Sequence, residues 1–303
     1  MNNDSIAIPA EHPMDLIPVR ALDFDMAELG ESGAVWSRSS PEFAIFINAL
    51  GLHVPYFERY LVRSMVRARP MITDHKLRAD LDAIVGQEAH HARNFIAFNR
   101  YLAGRYPRAG AQIEHAKDYF LARSKHDDLR LQVGFTAGYE TFTFLAGMII
   151  LENYDRWLKD ADPMMKAMWI WHQVEEVEHG AVAFEVYQAL HGADEWFRKW
   201  MILKALTHIV AETLPAYFHM CKVEGRMRTP ASVLKSSWFA FSTLGRMAWH
   251  ALPTFSKSYH PRRHPLATTK QNPIATAWRR YAAADGDVLR LDGAGMNRLM
   301  AQQ

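Results

Sequence analysis

A single cysteine, Cys221, stands among 303 residues. One thiol excludes an internal disulfide framework; set in an apolar stretch, it reads as core filling in a reducing compartment. No segment reaches the roughly 18–20 uninterrupted apolar residues of a membrane-spanning helix, and the longest run, Phe144 to Leu151, is far too short. Residues Met1 to Asp25 carry acids and prolines without a basic segment followed by an apolar run, so no signal peptide is expected and the cytoplasm is the expected location. Strand-like alternation is missing. Charge of one sign is scarce too: the net charge is +2, which gives no case for a nucleic-acid partner.

What the chain does have is helix periodicity and helix punctuation. With 49% hydrophobic residues it can bury a large core. Apolar spacing predicts helices near 41–68, 75–104, 112–124, 130–157, 164–190, 196–222 and 231–250. The expected class is all-α. Residues 1–37 read as an N-terminal extension, 38–253 as a helical domain with its ligand-bearing part at 41–190 and extra helices at 196–250, and 254–303 as a basic C-terminal tail. From Thr254 to Tyr281 the tail holds Lys257, Arg262, Arg263, Lys270, Arg279 and Arg280 with no acid. Such a run is solvated or laid over the protein's own surface, with anionic lipid or a phosphate-bearing substrate as the sharper alternative.

Chemistry concentrates at two spacings. Glu88-Ala-His-His91 and Glu176-Val-Glu-His179 are the two Glu-x-x-His sequences, and each follows a lone glutamate in an apolar helical stretch, Glu58 and Glu140. Residues three apart on a helix lie about 60° apart around its axis, so a carboxylate and an imidazole reach one ion from one face. One such pair is ordinarily an ion pair. Two pairs with two further glutamates give the four-carboxylate, two-imidazole set of ferritin-like di-metal four-helix bundles.

Helix geometry supports that reading. Glu58 and Glu88 are equidistant from position 73, inside the breaker Arg69-Pro70-Met71-Ile72-Thr73-Asp74. Glu140 and Glu176 are equidistant from position 158, close to Asp162-Pro163, an N-cap and first helical residue. Each hairpin therefore brings its two glutamates level, and residues 105–130 form the crossover between hairpins. The expected fold is a ferritin-like four-helix bundle with additional C-terminal helices. Glu58, Glu88 and His91 are expected to serve one half of a dinuclear centre and Glu140, Glu176 and His179 the other, with carboxylates bridging.

Neighbouring residues are assigned by their helix faces. His172, one turn before Glu176, is an extra ligand, a proton shuttle, a partner of the ligands or a core histidine. Glu175 could replace Glu176, although Glu176 matches the spacing of the first motif. Tyr139, with Tyr56, Tyr60, Glu185 and Tyr187, could hydrogen-bond ligands, while packing is the ordinary role of such tyrosines. Glu178 points elsewhere, and His90 faces about 100° from His91.

Three segments resemble a bacterial family labelled "predicted metal-dependent hydrolase". They are Pro55-Tyr-Phe-Glu58-Arg-Tyr-Leu-Val-Arg-Ser64, Gln87-Glu88-Ala-His-His91-Ala-Arg93-Asn-Phe-Ile-Ala-Phe-Asn99, and the most distinctive, Trp169-Ile-Trp-His172-Gln-Val-Glu175-Glu176-Val-Glu-His179-Gly-Ala-Val-Ala-Phe-Glu185-Val-Tyr187. The resemblance covers most of residues 38–265 and implies a ferritin-like helical fold with a metal site. The family's usual pattern has a further histidine near the end of the second motif, where this chain has Phe95.

The favoured function is an oxidoreductase with two metal ions, iron first and manganese or zinc as alternatives, that activates O2 to oxidise a hydrophobic small molecule, acyl chain or lipid. An oxygenase would also need an electron donor. Phe57, Phe95, Phe98, Phe135, Phe142, Phe144 and Met148 would wall such a pocket, though most of them read as bundle core. The alternative is a metal-dependent hydrolase with a two-metal-activated water. A zincin mechanism is excluded at this motif because position 87 is Gln87 rather than histidine. Metal storage is a third reading, weakened by the long region after the ligand helices. The apolar stripe of residues 196–221, including Trp196, Trp200, Leu203 and Leu206, is expected to pack on the bundle, with peripheral membrane contact as its alternative; Pro215 should kink it. A homodimer is allowed.

Overall fold

Proline and aspartate decide where the helices begin. The computed structural model describes residues 12–29, 33–267, 272–291 and 293–301. Expectations for Met1 to Glu11 and for Lys270 lie outside these. The α-helices are α1 (Pro41–Gly51), α2 (Val54–Ala68), α3 (His75–Arg105), α4 (Ala109–His126), α5 (Leu129–Glu152), α6 (Tyr154–Trp157), α7 (Pro163–Glu178), α8 (Val182–His191), α9 (Glu195–Val223), α10 (Pro230–Ala251), α11 (Pro273–Ala283) and α12 (Gly293–Ala301). Asp74, Asp128, Asp162 and Asp194 cap α3, α5, α7 and α9 by accepting backbone N–H groups. Proline opens α1, α2, α7, α10 and α11, where its missing N–H costs nothing. Among the described residues no strand forms, only an isolated bridge between Ser37 and Ala161. The protein is all-α.

Three expected helices are each divided in two. The predicted helix 41–68 breaks between Gly51 and Val54, because Pro55 cannot donate to a carbonyl one turn back. Buried Asn99 answers the freed groups by donating its Nδ2 to the carbonyls of Gly51 and Leu52 at 2.9 and 3.3 Å. The predicted helix 130–157 stops at Asn153, whose side chain donates to the Ile149 carbonyl at 2.7 Å. The predicted helix 164–190 ends at Glu178, leaving His179 as the C-cap of α7 before α8 starts at Val182.

Helix α5 is the centre of the packing, in contact with α2, α7, α8 and α9. By length and composition alone it could cross a membrane, contrary to the sequence expectation, which counted only uninterrupted apolar residues; 83% of that apolar window is buried inside the protein, as in a core helix. Two glycines set how closely its neighbours approach. A Cβ at Gly138 would lie 2.6 Å from the Met201 carbonyl oxygen of α9, and one at Gly180 would lie 2.7 Å from the Phe144 ring of α5. Helix α9 runs on through Pro215, burying Met201, Ile202, Ala205 and Ile209 on α5 and its neighbours. Trp196, Trp200 and Leu203, expected in the packed stripe, are exposed instead, because they lie on the face turned away from α5.

The terminal segments are parts of the core. Trp36 is fully buried, stacks on Trp169 and donates its indole N–H to Asn48 at 2.9 Å. The basic segment after Thr254 lies over the protein's own surface, where α11 buries Ile274 and Trp278. Each such large apolar side chain contributes about 1.5–3 kcal/mol.

The Gly138 contact is with backbone, which cannot rotate away. Gly138→Ala is expected to destabilise the protein by about 1–3 kcal/mol in chemical denaturation. Gly104→Ala, which meets nothing within 4 Å, should leave stability unchanged or raised. Equal effects at the two positions would contradict the packing described.

Candidate metal centre

Each of four helices delivers ionisable groups to one place. Glu58 comes from α2, Glu88 and His91 from α3, Glu140 from α5, and His172 and Glu176 from α7, with His179 at its C-cap. All seven are buried, none more than 5% exposed. Their ligand atoms form two groups, Glu58, His91, His172 and Glu176, and Glu88, Glu140, Glu176 and His179, with all atoms in each group within 4.8 Å of one another. Both groups suit a metal ion.

Glu176 belongs to both groups. Its Oε1 lies 3.0 Å from His172 Nε2 and 3.7 Å from His91 Nδ1, while its Oε2 lies 3.4 Å from His179 Nε2. Glu88 divides in the same way, Oε1 facing His179 Nε2 at 3.0 Å and Oε2 facing His91 Nδ1 at 3.7 Å. Glu58 stands at one end, 3.5 Å from His172, and Glu140 at the other, 3.3 Å from His179. The expected division by hairpin is therefore corrected. The hairpins interleave, so that Glu88 and Glu176 each face both groups, because α3 and α7 are the helices whose Glu-x-x-His faces oppose one another.

The sequence left His172 with four roles, and the structure sets it among the ligand atoms. The ring of Phe95, at the position where the family pattern has histidine, lies 4.6 Å from the His172 ring. Glu175 accepts from His91 Nε2 at 2.9 Å, which turns His91 Nδ1 toward the centre. Tyr139 stacks on Phe57, and its hydroxyl is 3.4 Å from His208 Nδ1, so it faces away from the carboxylates. Tyr60 donates to Asp127, Tyr187 donates to the Asp194 carbonyl, and Glu185 meets His260 and Arg262. His90 is half-buried and outside both groups.

Sequence reasoning missed an outer layer of partners. His179 Nδ1 bonds Gln87 Oε1 at 2.8 Å, and the Gln87 amide donates to the Pro18 carbonyl and to Glu178. That donation fixes the Gln87 amide, so His179 Nδ1 donates to Gln87 Oε1 and Nε2 faces inward, where a bound cation would take its lone pair. Glu178 is buried with Arg20 on both its oxygens, at 2.8 and 2.9 Å, and with Arg279 at 2.9 Å. Arg20 also meets Glu175 at 2.9 Å. The available signal was Glu175-Glu176-Val177-Glu178 in an apolar helix, since buried acids require cations from elsewhere.

Electrostatics show what the centre lacks. Both Glu58 oxygens, both Glu88 oxygens, His91 Nδ1, Glu140 Oε2, His172 Nε2, Glu176 Oε2 and His179 Nε2 are buried without a hydrogen-bond partner. Burial, with the charges of Glu88 and Glu176, pushes Glu58 up to about 8, and burial with the same neighbours pushes Glu140 up to about 8. Burial also opposes ionisation of Glu176, but His172 and His179 hold it well below its ordinary value. Burial disfavours the charged form of His91, yet Glu175 and Glu88 raise it to about 9. Protons balance the buried carboxylates where cations could. Orphaned donor atoms of hard oxygen and imidazole nitrogen fit a first-row divalent ion.

Residues 18–265 match the family described as predicted metal-dependent hydrolase. The chain belongs to that family. Metal dependence comes with the family, and the buried carboxylate and imidazole groups are where this member has residues able to provide it. No curated protein and no solved structure matches the chain.

Two outcomes follow. Gln87→Leu removes the acceptor of His179 Nδ1–H and should weaken metal affinity by about 10- to 100-fold with the fold retained, read by competition with a chromophoric chelator. The protonated forms of Glu58, Glu140 and His91 predominate below pKa values of about 8, 8 and 9. A cation must displace those protons, so affinity should rise with pH from about 6 to about 9 and uptake should release protons. Affinity independent of pH over that range would contradict the assignment.

Proposed function

We propose that this protein is a dinuclear metal enzyme that uses O2 to oxidise an apolar organic substrate. In this reading α2, α3, α5 and α7 are a ferritin-like bundle. Glu58, His91 and His172 hold one ion, Glu140 and His179 hold the other, and Glu88 and Glu176 are shared between them. The observation that carries the proposal is the carboxylate-rich double group with a shared Glu176, sealed in an apolar interior. Two iron ions bound there would supply the electrons for O2 reduction, with an external donor completing the balance for an oxygenase.

The chain's own residues do the rest. Glu175 and Gln87 orient the two imidazoles, and the Arg20 and Arg279 pairs neutralise the acids behind them. An apolar cavity of about 30 Å³ touches His172 and is walled by Phe95, Trp169, Ile47 and Val54. Such walls exclude bulk water and favour a small apolar gas and an alkyl group over a polar ester or phosphate. Phe57, Phe98, Phe135, Phe142 and Phe144, expected around the pocket, are buried core side chains outside this cavity.

A second reading, hydrolysis by a metal-activated water, is favoured by the family's description. Manganese or zinc would serve it. The two separate in one experiment: protein purified from iron-sufficient cells is assayed for metal per chain, then its ferrous form is mixed with O2 while dissolved O2 is followed. Two iron ions per chain and rapid O2 consumption support the oxidative reading. Two zinc ions with inertness to O2 favour the hydrolase. Glu88→Ala and His179→Ala should lose bound metal and His90→Ala should keep it; equal loss in all three would overturn the ligand set.

A further inference from the structure

Three cavities share walls between the metal centre and the surface of α10. The innermost, beside His172, shares Ile47, Leu50, Ala146 and Ile150 with a second of about 20 Å³. That second cavity reaches Thr243 and Met247 of α10 and shares Trp157 and Thr243 with a third, of about 360 Å³, that lies toward the surface. The two inner cavities are small and lined almost wholly by apolar surface. The outer one differs in chemistry: it is lined by Arg156, Lys235 and Arg246, with Glu42 as its one acid. Glu42 is already paired with Arg226 and Lys235, and Arg246 with Glu152, whereas Arg156 is exposed and has no ion pair among the described residues. Apolar side chains stand exposed along the same helix, Leu234, Trp238, Phe241 and Trp249, at the spacing of a single stripe, and Trp238 lines the outer cavity.

We infer that these cavities form the entry route of a single-chain anionic amphiphile, a fatty-acid-like carboxylate or its equivalent. Its head stays on Arg156, and its alkyl chain threads past Trp157, Thr243 and Ala146 toward His172. Charge complementarity selects the head, and the small apolar interior selects a slender alkyl tail. The exposed stripe on α10 suits such a molecule whether it arrives free in water or from a lipid surface. The inference deepens the proposed function and rests on it for the identity of the inner end.

The test is equilibrium binding of dodecanoate to the metal-loaded protein, with dodecanol as the uncharged match. One dodecanoate per chain is expected, with dodecanol bound at least about tenfold more weakly. Arg156→Glu, an exposed change that leaves the core untouched, should weaken dodecanoate by about tenfold. Ala146→Trp should close the passage and abolish binding while metal content stays at the wild-type level. Dodecanoate bound equally well by wild type, Arg156→Glu and Ala146→Trp, or bound no better than dodecanol, would overturn the route. Presenting dodecanoate below its micellar concentration and, separately, in phosphatidylcholine vesicles identifies the source, since uptake from either one upholds the route. Metal content is read independently of binding. Protein that holds two ions and ignores dodecanoate sinks the route alone; protein that binds it with the expected dependence on Arg156 and Ala146 but takes up no metal upholds the route and sinks the metal centre.

Discussion

Seven buried ionisable side chains, four carboxylates and three imidazoles, can share one apolar interior only if something neutralises them. An unpaired charge in such surroundings costs several kcal/mol even after relaxation. Here the negative groups are interleaved with imidazoles, and oxygens and nitrogens left without a hydrogen bond crowd together, 3.0–3.7 Å apart. Protons shared among Glu58, Glu140 and His91 provide a partial solution. Two divalent ions would provide a complete one, and the centre is best understood as a cation-shaped deficit built by four helices.

Holding that deficit together dictates features far from it. Burial of Glu175 and Glu178 behind the imidazoles requires guanidinium groups, and these come from opposite ends of the chain: Arg20 from the segment before α1 and Arg279 from α11. The Arg20 guanidinium also lies 5.0 Å from the Trp278 ring, tying the two terminal segments to each other over α7. Segments that read as an extension and a tail thus act as ties on the helix that carries three of the seven groups. Gly147 and Gly180 allow α5 and α7 to close on each other beside Glu176, since a Cβ at Gly147 would lie 3.3 Å from the Glu176 Cβ.

Much of this was legible in the sequence because its signals are local. Proline and aspartate at helix starts mark the hairpins, and residues equidistant from a turn lie at the same height, which is why Glu58, Glu88, Glu140 and Glu176 all reach one centre. The breaks at Pro55, Asn153 and Gly180 were harder to see. The break at Pro55 is answered by a tertiary bond, the Asn99 amide on the Gly51 carbonyl, and no short-range pattern announces a partner 48 residues away; at Asn153 the side chain answers locally, on the Ile149 carbonyl. The sharing of Glu88 and Glu176 was likewise invisible, since it depends on how the two oxygens of one carboxylate are aimed. Gln87, which in the sequence only excludes one mechanism, orients the His179 ring through its Nδ1.

The central proposal is that the Glu176 carboxylate lies between two cation sites. Anomalous diffraction from crystals of the protein loaded with manganese or iron tests it most directly. The account predicts two peaks per chain, one contacting Glu58, His91 and His172, the other contacting Glu140 and His179, with Glu176 touching both. A single peak, or peaks outside this set of side chains, would contradict it.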